Sequence, residues 1–272
     1  MLNQIKESVE FIRTKTSLTP KVGVILGTGL GSLAKEVQIE TTISYEHIPH
    51  FPVSTVESHS GKLLFGQLGG KPVVVMQGRF HYYEGYTLQQ ATFPVRVMKA
   101  LGITHLFISN ACGSVHKDYK KGSLMVINDH INLLPENPLR GKNYDELGPR
   151  FPDMSQPYNK ELVNKAMQLA KDLNLPIDVN QGIYAAVPGP NLETSAEYKY
   201  LGIIGAHVVG MSTVPEVLVA VHASLKVMAI SVITDEGFHD VLEPVTVADV
   251  IEVASKAEPQ MTKLMLAVIE SL

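Results

Sequence analysis

The sequence predicts an α/β protein built on a mixed sheet. Three observations carry that reading. Apolar, β-branched runs recur along the chain and several are followed by segments with helical spacing, which is the α/β signature. Two consecutive runs, KLLFGQL and PVVVMQG, are separated by Gly69-Gly70, a hairpin signal that requires at least one antiparallel pair. Near the carboxy terminus Val247, Val250, Ile251, Ala254, Met261, Leu264, Met265 and Val268 fall near helical spacing, so one long helix is expected to lay an apolar stripe on the sheet.

In chain order, MLNQIKESVEFIRTK reads as an amphipathic helix and not a signal peptide, because charges interrupt its apolar residues. KVGVIL is the opening strand, followed by the hairpin pair and then by HLFISNA, SLMVIND, GIYAAV, HVVGMS and VMAISVIT. Residues 133–157 are rich in Pro, Gly, Asn and Asp and lack either period, so they read as a long loop. The chain has 272 residues, 45% hydrophobic and 18% charged, and no repeat or compositional break, so one domain over 1–272 is expected. Twenty-three Lys and Arg against 27 Asp and Glu leave a net charge of −4 with no basic block, which argues against nucleic acid as a partner. No apolar run approaches the roughly 18 residues needed to span a bilayer, so no membrane partner is expected. A single cysteine, Cys112, excludes an intramolecular disulfide and fits a reducing, cytoplasmic setting.

Several strand ends carry groups suited to a ligand. KVGVIL runs into Gly27-Thr28-Gly29-Leu30-Gly31-Ser32 and a helix start, a context for anion binding by backbone N–H groups, or for a plain tight turn. The dinucleotide fingerprint requires glycine where Ser32 stands, and no P-loop occurs. Arg79, His81 and Tyr83 alternate, so an extended segment would put three donors on one face, with Arg offering a fork suited to phosphate. Ser109-Asn110-Ala111-Cys112-Gly113-Ser114 places small residues where a strand is expected to end. Glu193, ahead of a helix, reads equally as a cap or a ligand. Ser212 or Thr213 reads as an N-cap or a second hydroxyl turn, and Asp235 as a turn residue or a partner for a ring nitrogen. Open α/β sheets gather such strand ends into one crevice. His47 and His50 have no third ligand nearby, so no metal is expected, and neither a serine-hydrolase elbow nor a zinc-protease motif is present.

Taken together, GTGLG at 27–31, FPVSTVESHSGKL at 51–63, MQGRFHYYEGY at 76–86, FPVRVMKALG at 93–102, SNACGS at 109–114, DHINLLPENPLRG at 129–141, GPNLET at 189–194 and VGMSTVPEV at 209–217 resemble the trimeric purine nucleoside phosphorylases. The resemblance runs from about residue 20 to the carboxy terminus. It implies one three-layer α/β/α domain with a mixed, partly barrel-like central sheet. It also implies reversible phosphorolysis of purine nucleosides to base and α-ribose 1-phosphate, with inorganic phosphate as co-substrate and neither metal nor organic cofactor. Carried over residue by residue, it places phosphate among Thr28, Arg79, His81, the backbone of Ala111 and Ser212, with His59 at the mouth. Tyr83 and Met211 match ribose contacts, and Phe151 an aromatic that reaches a neighbouring site in a homotrimer. Cys112, Leu192, Glu193, Val209, Thr234 and Asp235 match the purine pocket, and His81, Glu193 and Asp235 its catalytic contacts. Thr28 stands where many members have Ser, and Leu192 where the vertebrate type has a stacking Phe.

Two departures bear on substrate choice. Members selective for inosine and guanosine typically carry Asn at the position of Asp235, and the histidine that meets the ribose 5'-hydroxyl in the vertebrate type aligns with Val247. Glu193 favours 6-oxopurines, while Asp235 and Val247 favour an adenosine-accepting enzyme or a 5'-methylthioadenosine phosphorylase. A nicotinamide-dependent oxidoreductase and a non-catalytic nucleoside-binding protein are the readings from other classes. Inosine and guanosine are expected ahead of adenosine.

Overall fold

The strands are β1 (Val22–Leu26), β2 (Gln38–Ser44), β3 (Lys62–Leu68), β4 (Lys71–Gln77), β5 (His105–Ser114), β6 (Leu124–Asn132), β7 (Val179–Ala186), β8 (Val208–Gly210) and β9 (Lys226–Glu236). They are joined by helices α1 (Leu2–Arg13), α2 (Leu88–Ala91), α3 (Phe93–Leu101), α4 (Lys160–Asp172), α5 (Ser195–Ile203), α6 (Val214–His222) and α7 (Val247–Glu270). The computed structural model describes residues 1–28, 30–53, 61–238 and 242–272. Among these residues the strands form one sheet in the order β2-β3-β4-β1-β5-β8-β7-β6-β9, and β9 pairs back on β5. That last pairing closes β5, β8, β7, β6 and β9 into a five-stranded ring, so the sheet is a barrel at one end and open at the other.

The hairpin at Gly69-Gly70 forms as expected, with Leu68 opposite Lys71 and both glycines at positive φ. β1 lies between β4 and β5 and runs parallel to both, which explains why all five of its residues are buried and apolar apart from one glycine. β2 was not anticipated from the sequence. It is an edge strand in which Ile43 alone is buried, so QIETTIS carries almost no apolar period. The helices pack in two groups on the sheet, α1 with α3 and α3 with α6 in one, α4 with α7 in the other.

α7 rests on β9, β3 and β5, burying Ala254, Ala257, Met261, Leu264, Met265, Val268 and Ile269. Its predicted stripe is corrected at the start. Val247 is 72% exposed, because Thr246 caps the helix through Asp249 before the apolar face reaches the sheet. Three further expectations change. The glycine-rich turn leads into a 3-10 turn, Ser32–Glu36, and not a regular helix start. Buried Glu258 of α7 fastens that turn by accepting from the Ser32 amide and hydroxyl. The segment SNACGS does not follow β5 but is its last stretch, held by β9. Finally, Tyr83 lies in a 3-10 turn, Tyr82–Glu84, so Arg79, His81 and Tyr83 do not share an extended face. No described helix is long and apolar enough to cross a membrane.

Candidate active site

The carboxyl ends of β1, β4, β5, β8 and β9 and the first turn of α7 enclose a cleft of about 470 Å³, within the range of small-molecule sites. Thr28, Arg79, His81, Tyr83, Ala111, Cys112, Leu192, Glu193, Val209, Met211, Ser212, Thr234 and Asp235 all line it.

One end is buried and lined by donors that suit an anion. Gly27 lets β1 approach β5: a Cβ there would lie 2.7 Å from the Ser109 carbonyl oxygen and 2.9 Å from the Asn110 Cα. The Ser109 hydroxyl accepts from the Gly27 amide at 3.1 Å, fixing the first residue of the turn that carries Thr28. Arg79 is 1% exposed. Its guanidinium donates to the Ser109 carbonyl and, at 3.1 Å, to the Thr213 hydroxyl, and Glu216 of α6 lies 3.9 Å away. Such partners offset the hydration that a buried guanidinium gives up in a low-dielectric site.

Thr213 is the unexpected part. Its φ of 72° and ψ of −56° belong to a γ-turn, closed by the Val214 amide donating to the Ser212 carbonyl at 2.8 Å. A β-branched residue there is strained. The turn is held because Thr213 Oγ1 accepts from both Arg79 and Asn110 and lies 3.2 Å from the Ser212 hydroxyl. Neither Ser212 nor Thr213 caps α6 through its side chain.

His81 is buried and its Nδ1 lies 3.0 Å from Glu84 Oε1, which also accepts from the His81 amide. Burial pulls the imidazole below its ordinary value, against the hydrogen bond to Glu84. With Nδ1–H directed to Glu84, Nε2 is the ring's acceptor. The rings of His81 and Tyr83 stack at 4.6 Å, so the two residues meet through the 3-10 turn instead of through strand alternation. Burial pushes the Tyr83 phenol up to about 12, so it is a hydrogen-bond donor at neutral pH.

The other end carries two carboxyl groups. A register irregularity between β5 and β9 pairs Cys112 with Ile233 and Gly113 with Asp235. The extra residue in β9 allows the adjacent Thr234 and Asp235 both to line the cleft. Thr194 and Glu197 form the capping box of α5, which leaves Glu193 to the cleft. Burial pushes both carboxyls above their usual range. Cys112 is a buried free thiol in the cleft wall, and burial raises it strongly above its ordinary value. Val245, Val247 and Val250 complete an apolar side.

Comparisons with known proteins identify the family. The family model of the phosphorylase superfamily matches residues 21–270. Purine nucleoside phosphorylase 1 of Bacillus subtilis is 48% identical over 99% of this chain and 98% of that protein. The chain belongs to the purine nucleoside phosphorylase family. The rat purine nucleoside phosphorylase is 41% identical over 98% of this chain and 94% of its own. Isoform 2 of the Schistosoma mansoni enzyme, solved with cytosine and ribose-1-phosphate, superposes with a TM-score of 0.94 at 38% identity, covering 99% of this chain and 96% of that one.

One position that the family resemblance implies, Phe151, is not among the residues lining the cleft. Phe151 is 88% exposed, its ring under the Arg150 guanidinium, and His59 lies outside the described residues. Conversely, Asn110, Thr213, Glu216, Glu84 and Tyr198 serve the site without having been singled out for it. All but Tyr198 sat inside motifs read from the sequence, and their roles become visible only once separate strand ends converge.

Proposed function

We propose that this protein catalyses reversible phosphorolysis of purine nucleosides, releasing the free base and α-ribose 1-phosphate. The observation that carries the reading is that one cleft holds both the buried Arg79 and His81 with the half-buried Ser212 and the Glu193 and Asp235 pair, with Tyr83 and Met211 also lining it for the sugar. Thr28 and the Ala111 backbone complete the phosphate contacts among the described residues, and His59 is assigned to phosphate from the family resemblance alone. Val209, Leu192, Cys112 and Thr234 line the purine.

A phosphate oxygen forms the bond to C1' as the bond from C1' to N9 breaks, and the electron pair leaves on the purine. The transition state carries positive charge on the sugar and negative charge on the base, as in other glycosyl transfers. Phosphate enters as hydrogenphosphate and leaves as a monoester dianion, so the proton it loses balances the one the purine gains. Neutral His81 Nε2 accepts at the first end, and Asp235 delivers at N7 at the second. Preorganised contacts to developing charge are worth about 3 kcal/mol each. Phosphate is the co-substrate and no metal or organic cofactor takes part.

Glu193 accepts from the N1–H of a 6-oxopurine, so inosine and guanosine are the favoured substrates, ahead of adenosine. A second reading, 5'-methylthioadenosine phosphorolysis, is supported by the apolar Val245, Val247 and Val250 wall. The exposed Phe151 supports a homotrimer in which it reaches a neighbour's cleft, and a cytoplasmic setting belongs to the same reading. Base release from inosine, guanosine, adenosine and methylthioadenosine, each with and without phosphate, tests the reading. Phosphate-dependent cleavage led by inosine and guanosine is the expected result. Phosphate-independent cleavage makes it a hydrolase, and no turnover leaves nucleoside binding alone.

A further inference from the structure

We propose that a second cavity, built around Arg96 and separate from the cleft, is a binding site for a small phosphate monoester. It measures about 320 Å³ and shares no lining residue with the cleft. Its walls include part of α3, the end of α6 and the loop between β6 and α4. Arg96, Arg140, Lys142 and His222 line it, and no Asp or Glu does.

Arg96 is the anchor. It lies on α3 and is 8% exposed. Among the described residues its guanidinium has one polar partner, His222, whose Nδ1 lies 3.4 Å from Nη1. Burial and the charge of Arg96 both hold that imidazole below its ordinary value, so it is neutral at pH 7. With Nδ1 accepting from Arg96, the ring hydrogen sits on Nε2, 3.3 Å from Asn143 Oδ1, which accepts it. A guanidinium has five N–H donors, so most of the Arg96 fork is available to a ligand.

Arg79 provides the contrast. Both arginines touch α6, Arg79 near its start through Glu216 and Arg96 at its last residue through His222. The first meets a carboxylate within the chain, and the second meets a neutral ring. Burial works against the charge of Arg96. An anionic ligand brings the counter-charge that this buried cation otherwise lacks among the described residues.

The loop offers donors and turns its acceptors elsewhere. Arg150 donates to the carbonyls of Leu139 at 3.3 Å and Gly141 at 2.8 Å, and Gln89 Nε2 donates to the Arg140 carbonyl at 2.7 Å. Three successive carbonyl oxygens that would repel an anion are thereby engaged. The Arg140 and Lys142 residues between and beside them are exposed. A single carboxylate would match Arg96 and leave two cations over. A phosphate monoester carries up to two charges and three acceptor oxygens, which suits a fork and two further cations. The cavity far exceeds the roughly 30 Å³ share of a water molecule, so space remains for an organic group against Leu139, Leu147 and Tyr144.

The test is calorimetric titration of the full chain with ribose 5-phosphate, and separately with inorganic phosphate. Ribose 5-phosphate should bind at this site about fivefold more tightly, because its carbon skeleton covers apolar wall. Arg96→Gln should weaken that binding by at least about tenfold, the scale of one lost hydrogen bond to a charged group. Arg140→Ala and Lys142→Ala should each weaken it about threefold, and being exposed they keep the test decisive if Arg96→Gln does not fold. Absence of binding overturns the proposal. So does an affinity that none of the three variants changes, since that binding belongs to the cleft. Equal affinity for the two probes overturns the monoester assignment. Dissociation of an oligomer by Arg96→Gln, with neither probe bound by wild type, gives the cation to an acid of a second copy and overturns it as well. None of these readouts uses nucleoside turnover, so they stand apart from the test of the proposed reaction.

Discussion

The two ends of the cleft are built on opposite plans. At the end proposed for phosphate, Arg79, His81 and Thr213 are buried and each is held by protein partners. At the purine end, Leu192 is 48% exposed, Val247 more so, and the polar groups are acids whose proton affinity has been raised by burial. Fixed donors suit an anion that never changes between substrates. Titratable acids and an apolar rim suit a base and a 5'-substituent that do. Under the proposed function, the difference teaches that the reaction and its selectivity would be carried by separable parts of one cavity.

The strongest way to break this comparison is Arg79→Ala. It removes the fork from the cradle and strands Glu216, a buried carboxylate whose ion-pair distance is 3.9 Å. Loss of one preorganised donor costs about 10²- to 10³-fold, and kcat/KM for phosphate should fall at least that far. An unpaired buried charge costs about 3–5 kcal/mol, so the melting temperature should fall as well. The inosine to adenosine ratio should not move. A normal phosphate KM would remove Arg79 from the site.

Asp235→Asn probes the other end. The amide can accept from N7–H and donate to the 6-oxo group without a titrating proton. The inosine to adenosine ratio should rise about tenfold, the scale of one buried hydrogen bond, with phosphate KM unchanged. An unchanged ratio would place the purine elsewhere.

These ends differed in how far the sequence revealed them. Thr28, Arg79, His81 and Ser212 stand at the ends of apolar runs, where local pattern and the architecture of open sheets converge. The γ-turn at Thr213 was hidden because nothing local favours a β-branched residue at positive φ; three side-chain contacts hold it there. The closure of the sheet was implied by family resemblance but not by periodicity, since pairing of β9 with β5 joins residues more than a hundred positions apart. Tyr198 was passed over because a tyrosine on a short helix is ordinary until Asp235 is seen beside it.

Stability against pH should separate the ends by sign. The lowered His81 binds a proton less tightly when folded, so its contribution is complete above about pH 6.5 and is lost as pH falls through the folded value. The raised Glu193 and Asp235 behave oppositely: their contribution is complete below the ordinary carboxylate range and is lost as pH rises through their folded values. Melting curves of His81→Gln should therefore flatten on the acid side, and those of Asp235→Asn on the alkaline side. The same flattening in both variants would contradict the opposed shifts.

The finest test lies within the purine half, at its rim. Val247 is the first residue of α7, beside Val245 and Val250 in the cleft wall, and its neighbour Thr246 supplies the cap, so a new side chain there leaves the helix start intact. Val247→His adds a partner for a ribose 5'-hydroxyl and removes apolar surface that would face a 5'-thioether. A hydrogen bond to a half-wet group is worth about 1 kcal/mol, so the adenosine to methylthioadenosine ratio of kcat/KM should rise about fivefold. Because the two substrates share a base, Glu193, Asp235 and Tyr198 contribute equally to both and cancel from the ratio. Neither the phosphate KM nor the inosine to adenosine ratio should respond. A change in either would mean that the rim communicates with the charged groups and that the halves are not separable after all.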